Sequence, residues 1–369
     1  MLTALLRPTP ARGTRRRVLV VSGSVGAGHD GAARELAERL RAAGVDVDLR
    51  DYLAAVPRWF AVLLREGYST SVDHVPAAFQ LLFSRLEHRG FVWRVARALT
   101  AMADRTVSGW LAGGGYDAVV STYPLASQCL GNLRERGLCP APLLTYLTDP
   151  AAHRSWIHPA VDRHLTVTEA TAAQGRRAYD LPMAAGGPLV PDRFARPVPA
   201  TEVSALRREL GLGAGRVALL VAGSLGIGDV LPTVEDVAAG GVTPVVLCGR
   251  NEGLRARVAS VPGAIALGWR DDVHLLMRLA DVLVHNAGGL SFTEAMVAGL
   301  PAITYRPIPG HGRANAAVLE DAGLAPWART RGQLWAALDQ QLQAGRRPVR
   351  LGDPTDEVLA LLAPAAAAA

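Results

Sequence analysis

The chain has 369 residues, half of them hydrophobic, which is too much for one ordinary core and enough for two domains. No stretch approaches the ~20 consecutive apolar residues that a membrane span needs. The three cysteines, Cys129, Cys139 and Cys248, have neither metal-ligand spacing nor a disulfide framework.

Every Lys-or-Arg position is an arginine, and the charge is uneven: 24 arginines face 17 acidic residues in 1–200, against 15 and 16 in 201–369. The first half thus carries the whole positive excess, which suits nucleic acid, anionic lipid or phosphate-bearing ligands. Met1 to Leu6 is apolar and Arg15-Arg16-Arg17 follows it, the reverse of a secretory signal, so a cytoplasmic protein is expected.

A strand, Arg17 to Val21, opens the first half. Ser22-Gly23-Ser24-Val25-Gly26-Ala27-Gly28-His29-Asp30 follows, and then a helix to about Ala43 with Leu36, Leu40 and Ala43 as its apolar stripe. The glycine spacing does not match G-x-G-x-x-G, and no Lys-Ser/Thr pair ends the turn. Dinucleotide binding and ATP hydrolysis are therefore disfavoured. His29 stands at the mouth of a turn that lets a ligand approach the backbone, where an imidazole can take a proton from an alcohol.

Val45 to Leu53 reads as a second strand. Pro57 to Val107 then breaks the α/β alternation with consecutive helices, in which Trp59, Phe60, Leu63, Leu64, Phe79, Leu82, Phe83, Phe91 and Trp93 alternate with arginines. That mixture suits a helix lying on an anionic membrane. Most of these side chains are expected to pack on the domain, with Trp59 and Phe60 as the membrane edge. Strands resume around Ala118-Val119-Val120 and at Leu143 to Thr148. The latter ends in Asp149, a second candidate for catalysis or positioning, because ligands bind at the carboxyl ends of parallel strands. Strands at 162–168 and 182–185, with a helix at 169–179 between them, complete this half.

Gly186 to Pro199 is rich in proline and glycine and reads as the linker, dividing the chain into 1–187 and 188–369. The second half runs from a helix at 201–210 to the strand Val217 to Val221, then to Ala222-Gly223-Ser224-Leu225-Gly226-Ile227-Gly228, a phosphate-type turn. Strands follow at 245–247 and 265–268, and a helix at 273–279. The strand Asp281 to Val284 leads through His285-Asn286-Ala287-Gly288-Gly289-Leu290-Ser291 into a helix at 292–298. Such a turn aims backbone N–H groups and a helix dipole at one point, a place for phosphate, and Glu294 one helical turn beyond Leu290 could hold two ribose hydroxyls. A strand at 302–305, a loop at 306–312 and a helix at 313–322 close the pattern. The fold class expected is α/β, with two doubly wound parallel sheets facing across a cleft.

Taken together, Ser22 to His29, Cys248-Gly249-Arg250-Asn251, Gly268-Trp269-Arg270-Asp271-Asp272, Asn286-Ala287-Gly288-Gly289 with Glu294-Ala295, and Pro307-Ile308-Pro309-Gly310 with Asn315 resemble the monogalactosyldiacylglycerol synthase family. That family includes processive diacylglycerol glucosyltransferases, and the second half is also similar to the N-acetylglucosaminyl transferase of the peptidoglycan precursor. The resemblance implies a GT-B architecture of two Rossmann-like domains and an inverting, metal-independent hexosyltransferase that uses a UDP-sugar as co-substrate and no cofactor. It implies Gly223, Ser224, Gly226, Gly288, Gly289 and Leu290 at the diphosphate, Trp269 and Arg270 at the uracil, and Glu294 at the ribose. Gly310, His311 and Asn315 would lie near the sugar. Residues 1–187, with Gly26, Gly28, Trp59 and Phe60, would present a lipid acceptor at an anionic membrane surface, with His29 or Asp149 as the base. The enzyme would then be peripheral on the inner face of the cell membrane, with no nucleic-acid partner. His311-Gly312 departs from the family's usual Gln-acidic pair and leaves the sugar open. A UDP-sugar epimerase, a UDP-N-acetylglucosamine transferase with another lipid-linked acceptor, and a non-catalytic nucleotide-sugar or lipid binder are the alternatives.

Overall fold

The computed structural model describes residues 15–223, 226–286, 289–347, 349 and 351–363, with the backbone alone at 68–74. Ser224 and Gly288 lie outside the described residues, as do Met1 to Leu6.

Two six-stranded parallel sheets organise the chain. The first holds β1 (Arg17–Ser22), β2 (Asp46–Asp51), β3 (Ala118–Ser121), β4 (Leu143–Tyr146), β5 (Arg163–Thr166) and β6 (Met183–Ala185) in the order β2-β1-β3-β4-β5-β6. The second holds β7 (Val217–Val221), β8 (Thr243–Leu247), β9 (Ile265–Leu267), β10 (Val282–His285), β11 (Ala302–Tyr305) and β12 (Trp327–Ala328) in the order β12-β11-β10-β7-β8-β9. Central strands such as Val18 to Val21 and Val282 to Val284 are almost wholly buried, which is why they read as unbroken apolar runs rather than alternating ones.

In the first half the helices are α1 (Ala27–Ala42), α2 (Arg58–His74), α3 (Pro76–Glu87), α4 (Phe91–Thr100), α5 (Asp104–Gly114), α6 (Pro124–Glu135) and α7 (Glu169–Tyr179). The second half adds α8 (Ala200–Glu209), α9 (Val230–Ala239), α10 (Glu252–Ala259), α11 (Val273–Leu279), α12 (Gly289–Val297), α13 (His311–Asp321), α14 (Arg331–Ala344) and α15 (Pro354–Leu362). Although α15 is last in sequence, it returns to the first sheet and packs on α1 and β3. One core cluster accordingly runs through both halves, from Val18 and Leu36 to Leu283, Phe292 and Val358.

Two helices begin earlier than their sequence suggests. The helix expected from Phe292 starts at Gly289, and the one expected from Arg313 starts at His311. In the second case Gly310 takes a φ of 72° and ψ of −117°, turning the loop directly into the helix. His311 therefore stands in a first helical turn and not in a loop. Among the described residues no helix is long and apolar enough to cross a membrane.

Candidate active site

Both sheets bring the carboxyl ends of their strands to the space between the halves. A cleft of about 570 Å³ lies there. Gly223, Gly249, Gly268, Trp269, Leu290 and Glu294 wall it from the second half, and Ala27, Gly31 and Arg34 of α1 wall it from the first. Gly26 precedes the first turn of α1 and Gly310 that of α13, and neither helix has a side chain capping its first N–H groups. Those two starts leave backbone donors and positive dipole ends for an anion, and α12, which begins at Gly289, adds its own dipole. The approach is close: a Cβ on Gly28 would stand 3.8 Å from Leu290, and one on Gly31 would stand 3.1 Å from it.

Glu294 lies in the cleft wall with Ser291, Trp269 and Arg270. Loss of solvation raises its carboxyl to about 8, against a smaller opposing pull from Arg193. Trp269 is half exposed, with its indole N–H on Asp271 and the Arg250 guanidinium over its ring. Arg270 is held by Asp272 and Glu209. Gly226 packs closely, and a Cβ there would stand 3.0 Å from Asn251 and Leu254.

His29 lies in the first turn of α1. Its Nδ1 is 3.0 Å from the carbonyl of Thr122 and 3.1 Å from the Thr148 hydroxyl. The carbonyl can only accept, so it fixes the proton on Nδ1 and leaves Nε2 with the lone pair. The ring packs against Tyr123 and Trp156, at centroid distances of 5.2 and 5.5 Å. Burial lowers the His29 pKa, and nearby Asp149 opposes that shift. Asp149 accepts the Trp156 indole N–H at 3.0 Å and stands 3.4 Å from the Asn315 amide nitrogen. Asn315 is in the second half, and its side-chain carbonyl also accepts the N–H of Ala151 at 3.0 Å. His311, from the same half, is lowered by burial and feels Asp149 as an opposing charge. His29, Asp149, His311 and Asn315 thus form one centre across the two halves.

Thr122, Thr148 and Trp156, which orient these groups, carry no signal in the sequence that would single them out. Asp46-Val47-Asp48, an acidic triplet of the D-x-D form that can hold a metal ion, lies at the opposite, amino end of β1 and β2, with Asp48 bound to Arg17 and Tyr116. No group of three or more potential metal ligands occurs among the described residues.

The expected membrane edge needs one correction. Phe60 is 5% exposed and belongs to the core with Leu53 and Val107, whereas Trp59 beside it is 61% exposed. Burying a phenylalanine in its own domain stabilises by about 2 kcal/mol or more, so the core takes it. Trp59, Val62 and Leu63 on α2, Leu81 and Leu82 on α3, and Phe91 and Val95 on α4 are exposed. Arg58, Arg85 and Arg94 are exposed on the same helices, and Arg89 in the turn between α3 and α4. Phe79 and Phe83, read as part of this segment, turn inward to His311.

Residues 29–178 match the family described as monogalactosyldiacylglycerol (MGDG) synthase. A processive diacylglycerol beta-glucosyltransferase of Bacillus pumilus is 24% identical over 327 residues, covering 85% of this chain and 83% of the relative. Its Bacillus subtilis counterpart is 26% identical over 224 residues, 57% of this chain and 56% of the relative. Among solved structures, the kitacinnamycin glycotransferase has a TM-score of 0.60 at 18% identity, covering 95% of this chain and 100% of the other. MurG of Acinetobacter baumannii has a TM-score of 0.51 at 16% identity, covering 94% and 99%. The chain is a glycosyltransferase built on the two-domain GT-B fold, similar in sequence to the diacylglycerol glycosyltransferases.

Proposed function

We propose that the enzyme is an inverting, metal-independent hexosyltransferase that moves a sugar from a UDP-sugar to a diacylglycerol-like lipid at the inner face of the cell membrane. In this reading residues 1–187 serve the acceptor and 188–369 the donor. The observation that carries it is the cleft itself. Glu294 and Trp269 of the second half stand there opposite the first turns of α1, and beside the cleft His29 and Asp149 of the first half meet His311 and Asn315 of the second. Uridine would lie at Trp269 and Glu294, and the diphosphate at the start of α12.

In the reaction the acceptor hydroxyl oxygen bonds to the anomeric carbon as the bond from that carbon to the β-phosphate oxygen breaks. UDP leaves, and the hydroxyl proton passes to His29 Nε2. Asp149, already an acceptor for Trp156, stabilises the imidazolium and is not the base. Backbone N–H groups at the helix starts stabilise the charge that develops on the diphosphate. Relatives named for diacylglycerol supply the acceptor class, and the apolar, arginine-rich outer face of α2 to α4 suits an anionic lipid surface.

The test is to incubate the protein with vesicles containing diacylglycerol and a panel of UDP-sugars, with and without a chelator, and to follow UDP release and glycolipid mass. The expected product is a glycolipid of opposite anomeric configuration to the donor, formed equally with the chelator present. Release of UDP without glycolipid, or retention of configuration, would refute the proposal.

A further inference from the structure

Helix α3 has two faces. Its outer face exposes Leu81 and Leu82, at 57% and 48%. Its inner face carries Phe79, Gln80, Phe83 and Glu87, spaced as one side of a helix. Phe83 stacks on His153 at 3.9 Å between ring centroids. Glu87 accepts the Arg154 N–H at 3.1 Å and stands 3.1 Å from His153. Those contacts fasten α3 to the segment that carries Trp156, the hydrogen-bond donor to Asp149.

The amino-terminal part of α3 instead reaches across to the other half. Gln80 Oε1 accepts the Gly310 N–H at 2.7 Å, while its amide nitrogen lies 3.4 Å from the Ser84 hydroxyl. The rings of Phe79 and Phe83 stand 6.4 and 6.3 Å from that of His311. They fit against Gly310 so closely that a Cβ there would come within 2.8 Å of Phe79 and 3.1 Å of Phe83. The backbone at 310 is therefore read by a side chain and two rings of the acceptor half.

The place of this turn matters because of its neighbours. His311 lies on the same helix as Asn315, which stands 3.4 Å from Asp149, and it is near enough to feel the Asp149 charge and to be felt by His29. A transferred carbon must stand between the leaving diphosphate and the base, so whatever donor-side backbone adjoins His29 and Asp149 flanks the transferred group. That backbone is Gly310-His311.

We propose that Gln80 is a positioning residue for the transferred sugar, holding the Gly310–His311 turn in register with the base. This rests on the reading that an activated sugar occupies the cleft, with its nucleotide at Trp269 and Glu294. The sugar end of the donor site then depends on α3 meeting the Gly310 turn, whereas Trp269 and Glu294, which would hold the nucleoside, belong to the second half and line a cleft that no described residue of α3 walls. Orientation of this kind is where misplacement by an ångström costs rate.

The experiment compares UDP with the UDP-hexose that the wild type turns over, by calorimetric titration and by kinetics, in wild type, Gln80→Leu and Gln80→Glu. Gln80→Leu is expected to bind UDP within twofold of wild type and the UDP-hexose five- to thirtyfold more weakly, with more donor lost to water per transfer. Gln80→Glu keeps an acceptor for the Gly310 N–H and is expected to restore most of the UDP-hexose affinity. Unchanged UDP-hexose affinity in Gln80→Leu, equal weakening of UDP and UDP-hexose, or failure of Gln80→Glu to restore affinity would each overturn the proposal. A wild-type protein that binds neither UDP nor any UDP-hexose would instead overturn the functional reading beneath it.

Discussion

Replacing Glu294 by glutamine tests the donor site through a proton. In the unliganded protein the carboxyl is raised from 4.5 to about 8 by desolvation, with Arg193 pulling weakly the other way. At pH 7 roughly one molecule in ten is ionised, and ionising the rest costs about 1.4 kcal/mol. A ribose diol donates two hydrogen bonds, each worth about 1.5–3 kcal/mol to a charged acceptor, so binding selects the carboxylate and expels a proton. Affinity for a UDP-sugar should rise about tenfold per pH unit below 8 and level off above it. The UDP-sugar is the right probe, because the terminal phosphate of UDP itself titrates near pH 6. Calorimetry at pH 7 in two buffers of different ionisation enthalpy should count about 0.9 proton released by wild type and none by Glu294→Gln. The variant's affinity should be flat with pH, and about 10- to 100-fold weaker than wild type at pH 8.5.

Stability moves the opposite way. A carboxyl raised in the folded state gives stability that is full below its unfolded value of 4.5 and is lost as pH rises through about 8. Unliganded Glu294→Gln should therefore gain on wild type by at most about 5 kcal/mol in denaturant unfolding at pH 9, and by almost nothing at pH 4. Flat wild-type affinity from pH 6 to 8.5, with no proton released, would refute the ribose role of Glu294.

Three further outcomes are expected. His29→Ala should lower transfer by about 10²- to 10⁴-fold while UDP-sugar affinity, read by titration, stays within a few fold; because burial lowers the wild-type His29 pKa below 6.5, the acid limb of the wild-type rate profile should fall below that value. Phe91→Glu with Leu81→Glu should weaken co-sedimentation with anionic vesicles more than tenfold, since each side chain loses part of the roughly 1.5–3 kcal/mol available from burial, and UDP-sugar affinity should hold. Gly310→Ala places a methyl against Phe79 and Phe83 on a backbone suited to glycine, and should cost about 1–3 kcal/mol in denaturant unfolding as well as slowing transfer.

The sheets were legible because their strands are buried on both faces, so runs such as Leu143-Leu144-Thr145-Tyr146 stand out without any alternation. The positions of His29 and Asp149 were legible for a related reason: one sits in a first helical turn and the other just beyond a strand end, where a parallel fold exposes chemistry, and Glu294 lies one turn further into a helix that follows a strand. Three features were not. The start of α13 at His311 depends on the backbone angle of Gly310, and H-G-R by itself reads as loop. Phe60, Phe79 and Phe83 share the spacing of membrane-facing residues, and only tertiary packing sends one into the core and two to the other half. The Gln80–Gly310 bond joins residues 230 positions apart, so no local pattern could announce it.

Helix α1 explains how one element serves both the reacting centre and the joint between the halves. Its first turn presents His29 and faces Leu290. Its last turn carries Arg39, which binds Glu35 and Asp353 as ion partners and the carbonyl of Val190 at 2.7 Å. Val190 lies in the segment leading to the second half, and Asp353 in the segment returning from it. The two segments touch backbone to backbone at Gly187 and Gly352: with φ at 102°, a Cβ on Gly187 would come 1.9 Å from the Gly352 carbonyl oxygen. A helix of 16 residues is about 24 Å long and stiff, so the crossing and the base sit at fixed separation on one rod. Any rotation of the second half about the crossing must therefore change the gap between α12 and the first turn of α1 more than it changes anything near Arg39. The far end of that rod is where the proposed donor's diphosphate would lie, and closure there would both complete the anion site and remove water that competes with the acceptor.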